Sequence, residues 1–258
     1  MGTIVEVPID AAWAVGFVLS IVRIATFAVT SPFIGRSIPA TGRISFTVGV
    51  AIAAVEPVEG VIELGDLLTA AVINAAVGGA LGILTGMIIY LFMVAGGVLD
   101  LISGLAVSQV FDPVSGAPGG VYTRLFNLTA TTLFLVGGGL TLLVSGLVGS
   151  VRVLPLDASI DPDPGLGELA IDLVNLLVRS GVELALPIMG VMLMLELALG
   201  LAARFAPQAN VFMIGLPAKL LTSITVVGAA WTLFPDAMAV TENTFARTFE
   251  AVLRGLGA

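Results

Sequence analysis

The chain contains no cysteine and no histidine. Without cysteine it forms no disulfide, and without either residue it offers no thiolate or imidazole ligand to a metal ion. The same two absences exclude Ser-His-Asp and Cys-His nucleophilic catalysis within this chain. The sequence therefore predicts no catalytic residue, no metal site and no cofactor, and it disfavours an enzyme.

Basic residues are scarce, and Lys219 is the single lysine. It follows Gly-Leu-Pro-Ala rather than a phosphate-binding loop, so ATP hydrolysis by this chain alone is not expected. The formal charge of −8 gives no electrostatic reason to bind nucleic acid. Met1–Asp10 carries no basic residue before the first apolar run, so no cleaved signal peptide is predicted.

Apolar residues are what the chain has in excess. They make up 58% of it, and charged residues only 11%, whereas an ordinary globular domain carries about 25% charged residues. Because so little polar surface cannot coat a water-soluble globule, a bilayer or partner subunits must cover the rest. The predicted fold is an all-α integral membrane protein.

The apolar runs set the expected spans, since a helix needs about 20 apolar residues to cross a bilayer. Five runs are long enough: Ala11–Phe33, Leu67–Val98, Leu125–Leu154, Leu166–Ala203 and Val211–Phe234. Ile44–Val55 and Leu101–Phe111 are short, which favours re-entrant hairpins or helices buried against protein. We predict one polytopic domain over residues 1–258, with five or six spans and a C-terminal tail over residues 235–258.

Small residues recur at a four-residue spacing in one apolar run, at Gly78, Gly82 and Gly86. This spacing places them on one side of a helix and lets another backbone approach closely. The pattern fits internal helix packing and docking against another subunit equally well.

Polar residues form a stripe, defined by Glu168, Asp172, Asn175, Arg179 and Glu183. At about 3.6 residues per turn they share one narrow face of a helix whose other faces are apolar. We favour a protein-facing or channel-facing position for this polar stripe over a helix lying at the water interface. Arg23 and Asp100 are lone charges in apolar runs, for which a structural pair is more plausible than an ion relay.

Two further segments interrupt the apolar pattern. One contains two prolines and three glycines and is either a surface turn or a movable closure; its residues are Phe111, Asp112, Pro113, Val114, Ser115, Gly116, Ala117, Pro118, Gly119 and Gly120. The other, Ala206–Lys219, is bracketed by Pro207 and Pro217 and is predicted to be a turn between two helices.

In their order and spacing, these segments resemble the FliR family of flagellar biosynthetic proteins, which includes the SctT proteins of virulence type III secretion. Ala206–Lys219 is similar to the late signature of that family. Arg23 through Ile44, Gly97 with Asp100, Asp112-Pro113 and Val153–Pro155 are similar to its earlier motifs. The chain departs from the family at Gly137–Leu140, where many members carry a Gly-His pair.

The resemblance implies a structural and gating role in a protein export channel of the bacterial cytoplasmic membrane, at the flagellar basal body. It implies helical hairpins packed in a spiral with FliP-like and FliQ-like subunits, with FlhB-like and FlhA-like proteins alongside. The cargo would be unfolded flagellar subunits, and residues 112–123 would be a plug loop. Residues expected at helix packing or partner interfaces are Gly78, Gly82, Gly86, Pro207, Gln208, Asn210, Gly215 and Pro217.

Two other functions fit the same sequence. The chain could be a stand-alone secondary transporter that uses its intramembrane charges as an ion path. It could also be the equivalent subunit of a virulence injectisome, since the sequence does not distinguish the two secretion systems.

Overall fold

The computed structural model describes residues 10–35, 38–58, 63–106, 119–157, 166–206 and 211–255. These residues form helices joined by turns, and no strand occurs among them. The predicted all-α membrane fold is therefore confirmed.

In chain order, the α-helices are α1 (Ala11–Thr30), α2 (Pro32–Gly35), α3 (Ala40–Ala54), α4 (Leu64–Ser103), α5 (Val121–Val136), α6 (Gly139–Val153), α7 (Leu166–Phe205), α8 (Val211–Ala230) and α9 (Phe234–Gly255). A short 3-10 helix, Trp231–Leu233, connects α8 to α9.

The chain divides into two compact units. Unit 1 comprises Met1–Gly86, Gly138–Ala170 and Thr244–Ala258, and unit 2 comprises Met87–Gly137 and Ile171–Asn243. Helices α4, α7 and α9 each contribute residues to both units. The single polytopic domain over residues 1–258 remains a prediction.

Unit 1 is organised around α1, which packs on α3. The Asp10 carboxylate accepts the Trp13 N–H at 2.8 Å, so it caps the start of α1. Gly16 lets the backbone carbonyl of Glu56 approach α1, because a Cβ there would overlap that oxygen. The fully buried apolar side chains of this unit include Leu19, Phe27, Val77, Leu81 and Leu147.

Unit 2 has an aromatic centre at Phe234. The ring of Phe126 meets it edge-on at 4.7 Å between centroids, and the ring of Phe92 lies 5.8 Å away. Such edge-to-face and tilted arrangements are the favoured geometries of aromatic pairs. Trp231 stacks on Phe234 at 5.2 Å, so the 3-10 helix is tied to the same cluster.

Helix α4 corrects the predicted boundary near residue 100. Leu67–Val98 and Leu101–Phe111 were expected to be separate segments, but one helix runs from Leu64 to Ser103. Gly96 and Gly97 do not break it, and Asp100 lies within it. The helix stops at Gly104, whose φ of 82° lies in the left-handed region that commonly ends helices.

The run Leu125–Leu154 was expected to be one long segment, and it is two helices. The helix α5 ends at Val136, where the Gly137 N–H bonds to the Leu133 carbonyl at 2.7 Å. Gly138 then adopts a φ of 92°. Only glycine visits that conformation without cost, so the glycine pair breaks the helix.

Two predictions overlap over Val211–Lys219, which belongs both to the expected turn Ala206–Lys219 and to the apolar run Val211–Phe234. The structure follows the apolar run, so the turn is wrong in its second half. Helix α8 begins at Val211 and continues through Gly215 and Pro217 to Ala230. Apolar helices tolerate an internal proline because local adjustments and neighbouring groups satisfy the freed carbonyl. Pro187 likewise lies inside α7. Pro207, Gln208 and Asn210 lie outside the described residues.

Four helical stretches are long and apolar enough to cross a membrane: Ala11–Thr30, Leu64–Ser103, Ile171–Phe205 and Met213–Phe245. A fifth span is obtained if α5 and α6 together form one broken span. We expected five or six spans. The described part of the chain gives four, or five if α5 and α6 together count as one span. The short segment α3 is too short to be counted among them.

Gly78 and Gly82 lie against α1 of the same chain. A Cβ on Gly78 would overlap the Arg23 carbonyl, and a Cβ on Gly82 would overlap the Thr30 hydroxyl and lie 2.9 Å from the Phe27 carbonyl. Gly86, one turn further on, is buried. The stripe of small residues thus brings α1 and α4 together in unit 1.

The close approach at Gly82 predicts that Gly82→Leu destabilises the protein by about 1–3 kcal/mol, the usual cost of overpacking. Gly79→Leu is the matched control, because a Cβ at Gly79 meets nothing within 4 Å. Thermal unfolding of both variants in detergent measures the difference. Equal transition temperatures for the two would show that α1 and α4 are not closely packed at Gly82.

Candidate functional site

Asp100 is a buried carboxylate that caps a helix begun about 20 residues later. Its Oδ1 accepts the Tyr122 N–H at 2.9 Å, and its Oδ2 accepts the Thr123 N–H at 3.0 Å and the Thr123 hydroxyl at 2.7 Å. The first N–H groups of a helix have no intrahelical acceptor, and the helix dipole favours a negative charge there. Asp100 therefore fixes the start of α5 to the end of α4.

Two glycines make room for this cap. A Cβ on Gly120 would overlap the Asp100 carboxyl group, and a Cβ on Gly96 would lie 2.7 Å from the Tyr122 carbonyl. The backbone carbonyl of Asp100 also accepts the Ala106 N–H at 2.9 Å. One residue thus holds both ends of the segment between Ala106 and Gly119, and we call this arrangement the Asp100 stem.

The Asp100 stem is tied to α8 through Tyr122. The Tyr122 hydroxyl bonds to the Ser223 hydroxyl at 2.7 Å, and Ser223 donates to the Leu220 carbonyl at 2.9 Å. Both side chains are buried. Gly104, at the end of α4, would place a Cβ 3.5 Å from Leu216 of the same helix α8.

Of the predicted plug residues, only Gly119 and Gly120 are described, and both belong to the Asp100 stem. The remaining ones, Phe111 to Pro118, lie outside the described residues. Gly119 has a φ of 82°, which favours glycine at this position. Residues 121–123 of the predicted loop instead form the first turn of α5.

Arg23 is the second fully buried charge. It donates to the Asn74 side-chain oxygen at 2.8 Å and to the Ser150 and Leu154 carbonyls at 3.0 and 2.9 Å. Asn74 in turn donates to the Leu156 carbonyl at 2.8 Å. The Leu154 carbonyl lies past the last turn of α6 and has no intrahelical donor, whereas the Ser150 carbonyl also accepts the Leu154 N–H at 2.9 Å. Carbonyls at a helix C-terminus carry partial negative charge, which favours a cation. Arg23 and Asn74 therefore hold the end of α6 and the turn after it, which is a structural role.

The polar stripe is exposed. Asp172, Asn175, Arg179 and Glu183 share one face of α7, and Glu168 is exposed nearer the start of the same helix. Arg179 and Glu183 form an ion pair at 2.8 Å, with exposed side-chain fractions of 79% and 53%. The channel-facing or protein-facing position of the polar stripe remains a prediction. In the described ranges, no three acidic side chains converge to hold a metal ion.

Sequence reasoning missed one ion pair. Lys219 of α8 and Glu196 of α7 meet at 2.5 Å, with exposed side-chain fractions of 22% and 50%. Gly215 faces the same neighbour, since a Cβ there would lie 3.5 Å from Leu199; Pro217 is exposed. The sequence held a partial signal for this pair, because Glu196 and the single lysine lie at similar distances before and after residues 207–210.

Comparison with known proteins covers most of the chain. The profile of the family described as bacterial export proteins, family 1, matches residues 14–245. The flagellar biosynthetic protein FliR of Bacillus subtilis strain 168 is 28% identical over 243 residues, which cover 92% of each chain. FliR of Escherichia coli strain K12 is 33% identical over 180 residues, or 69% of this chain and 67% of that protein.

A relative with a different name is similar over a shorter stretch. The surface presentation of antigens protein SpaR of Salmonella typhimurium strain LT2 is 32% identical over 146 residues, or 57% of this chain and 54% of SpaR. The family profile spans α1 to α9, and the FliR alignments extend along most of the chain. The chain therefore belongs to the FliR family of bacterial export proteins.

Proposed function

We propose that this chain is a structural and gating subunit of the flagellar type III export channel in the bacterial cytoplasmic membrane. The observation that carries the proposal is the alignment with a FliR protein over 92% of both chains. Two FliR relatives align over 90% or more of both chains, whereas the SpaR alignment covers 54% of SpaR, and this difference supports the flagellar system over an injectisome. The subunit conducts unfolded flagellar proteins and performs no chemistry of its own.

The partners of the subunit are other components of the export gate, specifically FliP-like and FliQ-like subunits, with FlhB-like and FlhA-like proteins alongside. The exposure of α7 and α8 supports such partners. In an apolar 18-residue window of each of Ile171–Phe205 and Met213–Phe245, only 17% of residues are buried within the chain, against 56% in the corresponding window of α4. Met194, Leu197 and Leu221 are each about 70% exposed. Lipid and neighbouring subunits together must cover this surface.

The gate itself is the plug loop Phe111–Gly120. A closing loop must move while the helices at its two ends keep their packing. The Asp100 stem meets this requirement. The Asp100 carboxylate binds the first turn of α5, and the Asp100 backbone carbonyl binds the Ala106 N–H. Movement between these two points would not require α4 or α5 to unwind.

The bonding of the two buried charges argues against a secondary transporter. Arg23 and Asp100 are both fully buried, and their polar atoms bind backbone groups and uncharged side chains. An ion relay needs side chains that can exchange partners along a path. The geometry of both groups is that of helix caps.

Co-expression with FliP-like and FliQ-like subunits tests the function directly. We expect a stable three-way complex to survive detergent extraction and size-exclusion chromatography, because each subunit covers apolar surface of its neighbours. Substrate uptake by the purified chain alone in proteoliposomes, with no complex formed, would contradict an export gate and support a transporter.

A second prediction concerns gating. Deletion of Val114–Gly119 in the assembled complex is expected to make the resting channel permeable to small molecules. Dye efflux from proteoliposomes measures the leak, and wild-type complex of equal yield is the control. Unchanged efflux after the deletion would show that Phe111–Gly120 does not close the channel.

Asp100→Asn should weaken the stem by about 1–3 kcal/mol, since an amide donor would face an N–H group that loses its acceptor.

A further inference from the structure

One face of α7 carries a regular ladder of positions spaced alternately by three and four residues. Such a 3-4 repeat is the pattern by which two helices pack side by side with interlocking side chains. The ladder is Ile171, Val174, Val178, Gly181, Ala185, Ile188, Met192, Leu195 and Leu199. All nine positions lie in unit 2.

The second half of the ladder is already occupied by this chain. Ala185 is fully buried, and Ile188 and Met192 are each 1% exposed. At Gly181, a Cβ would lie 2.8 Å from the Val94 Cβ and 2.9 Å from the Leu91 carbonyl of α4. Helix α4 therefore packs closely on α7 at this point.

The first half of the same ladder is uncovered. Ile171, Val174 and Val178 are 62%, 58% and 49% exposed. They continue the packed positions without a break in spacing, and we call these three residues the open seam. The repeat thus predicts a helix partner over a longer stretch of α7 than the chain itself supplies.

Lipid does not suit the open seam. The stretch Ile171–Phe205 has 35 residues, so it is about 52 Å long at a rise of 1.5 Å per residue, whereas the hydrocarbon core is about 30 Å thick. Asp172 and Arg179 directly follow Ile171 and Val178 on the exposed surface of the first half. Insertion of the open seam among acyl chains would draw these charges toward hydrocarbon, which is costly.

We propose that the open seam binds an amphipathic helix of another export gate subunit, which presents apolar side chains at the same 3-4 spacing and a basic side chain toward Asp172. We infer the apolar side chains of the partner helix from the continuity of the open seam with the packed half of the ladder. The basic part follows from charge, because Arg179 is paired with Glu183 while Asp172 forms no ion pair among the described residues. This inference rests on the proposed function and names the chemistry of one of its interfaces.

The absence of cysteine from the chain allows a clean labelling test. Val174→Cys places a thiol in the open seam, and Leu176→Cys is the matched control. Leu176 is 41% exposed, and at about 100° per residue it lies on the side of Asp172 away from the open seam. There, the channel-facing position predicted for the polar stripe leaves it in contact with water. Both variants are prepared in nanodiscs, once as the isolated chain and once in the co-purified complex. A water-soluble maleimide is then added, and the labelling rate is measured.

We expect Val174→Cys to react readily in the isolated chain and about tenfold more slowly in the complex, because an interface core excludes water. Leu176→Cys should react similarly in both. Equal rates for Val174→Cys in an intact complex would overturn the docking site while leaving the export function standing. Failure of the complex to form would instead contradict the proposed function.

Other occupants give different results. Protection of Val174→Cys in the isolated chain would show that lipid or another part of this chain covers the seam, and a disulfide-linked dimer of the isolated chain would indicate a second copy. Either result contradicts the proposal. For the basic side chain, Asp172→Arg should lower recovery of the complex several-fold and Asp172→Asn should lower it less, since like charges repel. Equal recovery of the complex with Asp172→Arg and with Asp172→Asn would contradict the proposed basic side chain opposite Asp172.

Discussion

A chain with so few polar residues must satisfy every buried polar group from within, because hydrocarbon offers no hydrogen-bond partner. The ends of helices are where this requirement is hardest to meet, since their last N–H and C=O groups have no intrahelical partner. Two buried charges serve those ends in this protein. Asp100 supplies acceptors to the start of α5, and Arg23 supplies donors to the end of α6. Much of the remaining architecture depends on these two contacts.

The Asp100 stem links this requirement for internal hydrogen bonds to the function of the protein. A buried carboxylate that binds two N–H groups and a hydroxyl is fully used, so it is poorly suited to carry ions across the membrane. It is well suited to hold a loop at both ends. For the same reason, Arg23 is an organiser of the turn after α6, from which the chain proceeds toward α7. Both residues act by position, as the proposed role of a channel subunit requires.

The sequence predicted the features that depend on composition. The all-α fold, the long apolar helices near α1, α7 and α8, and the common face of the polar stripe follow from hydropathy and period. The breaks were harder to predict, because Gly97 and Pro217 are residue types that often break helices yet lie inside α4 and α8, while Gly138 adopts a positive φ and does break a helix. The Arg23–Asn74 and Glu196–Lys219 contacts join distant residues, so only the tertiary structure pairs them. The resemblance to the FliR family could be recognised from the sequence because the motifs occur in the same order as in that family.

The central claim is that Asp100 caps α5 in the native protein, and hydrogen–deuterium exchange of the purified chain tests it most directly. The amides of Tyr122 and Thr123 are in the first turn of α5, where uncapped N–H groups exchange quickly. Leu140 provides the comparison, because the residue before α6, Gly138, makes no side-chain cap. We expect Tyr122 and Thr123 to exchange as slowly as interior amides of α5 and far more slowly than Leu140. Exchange at the rate of Leu140 would contradict the claim.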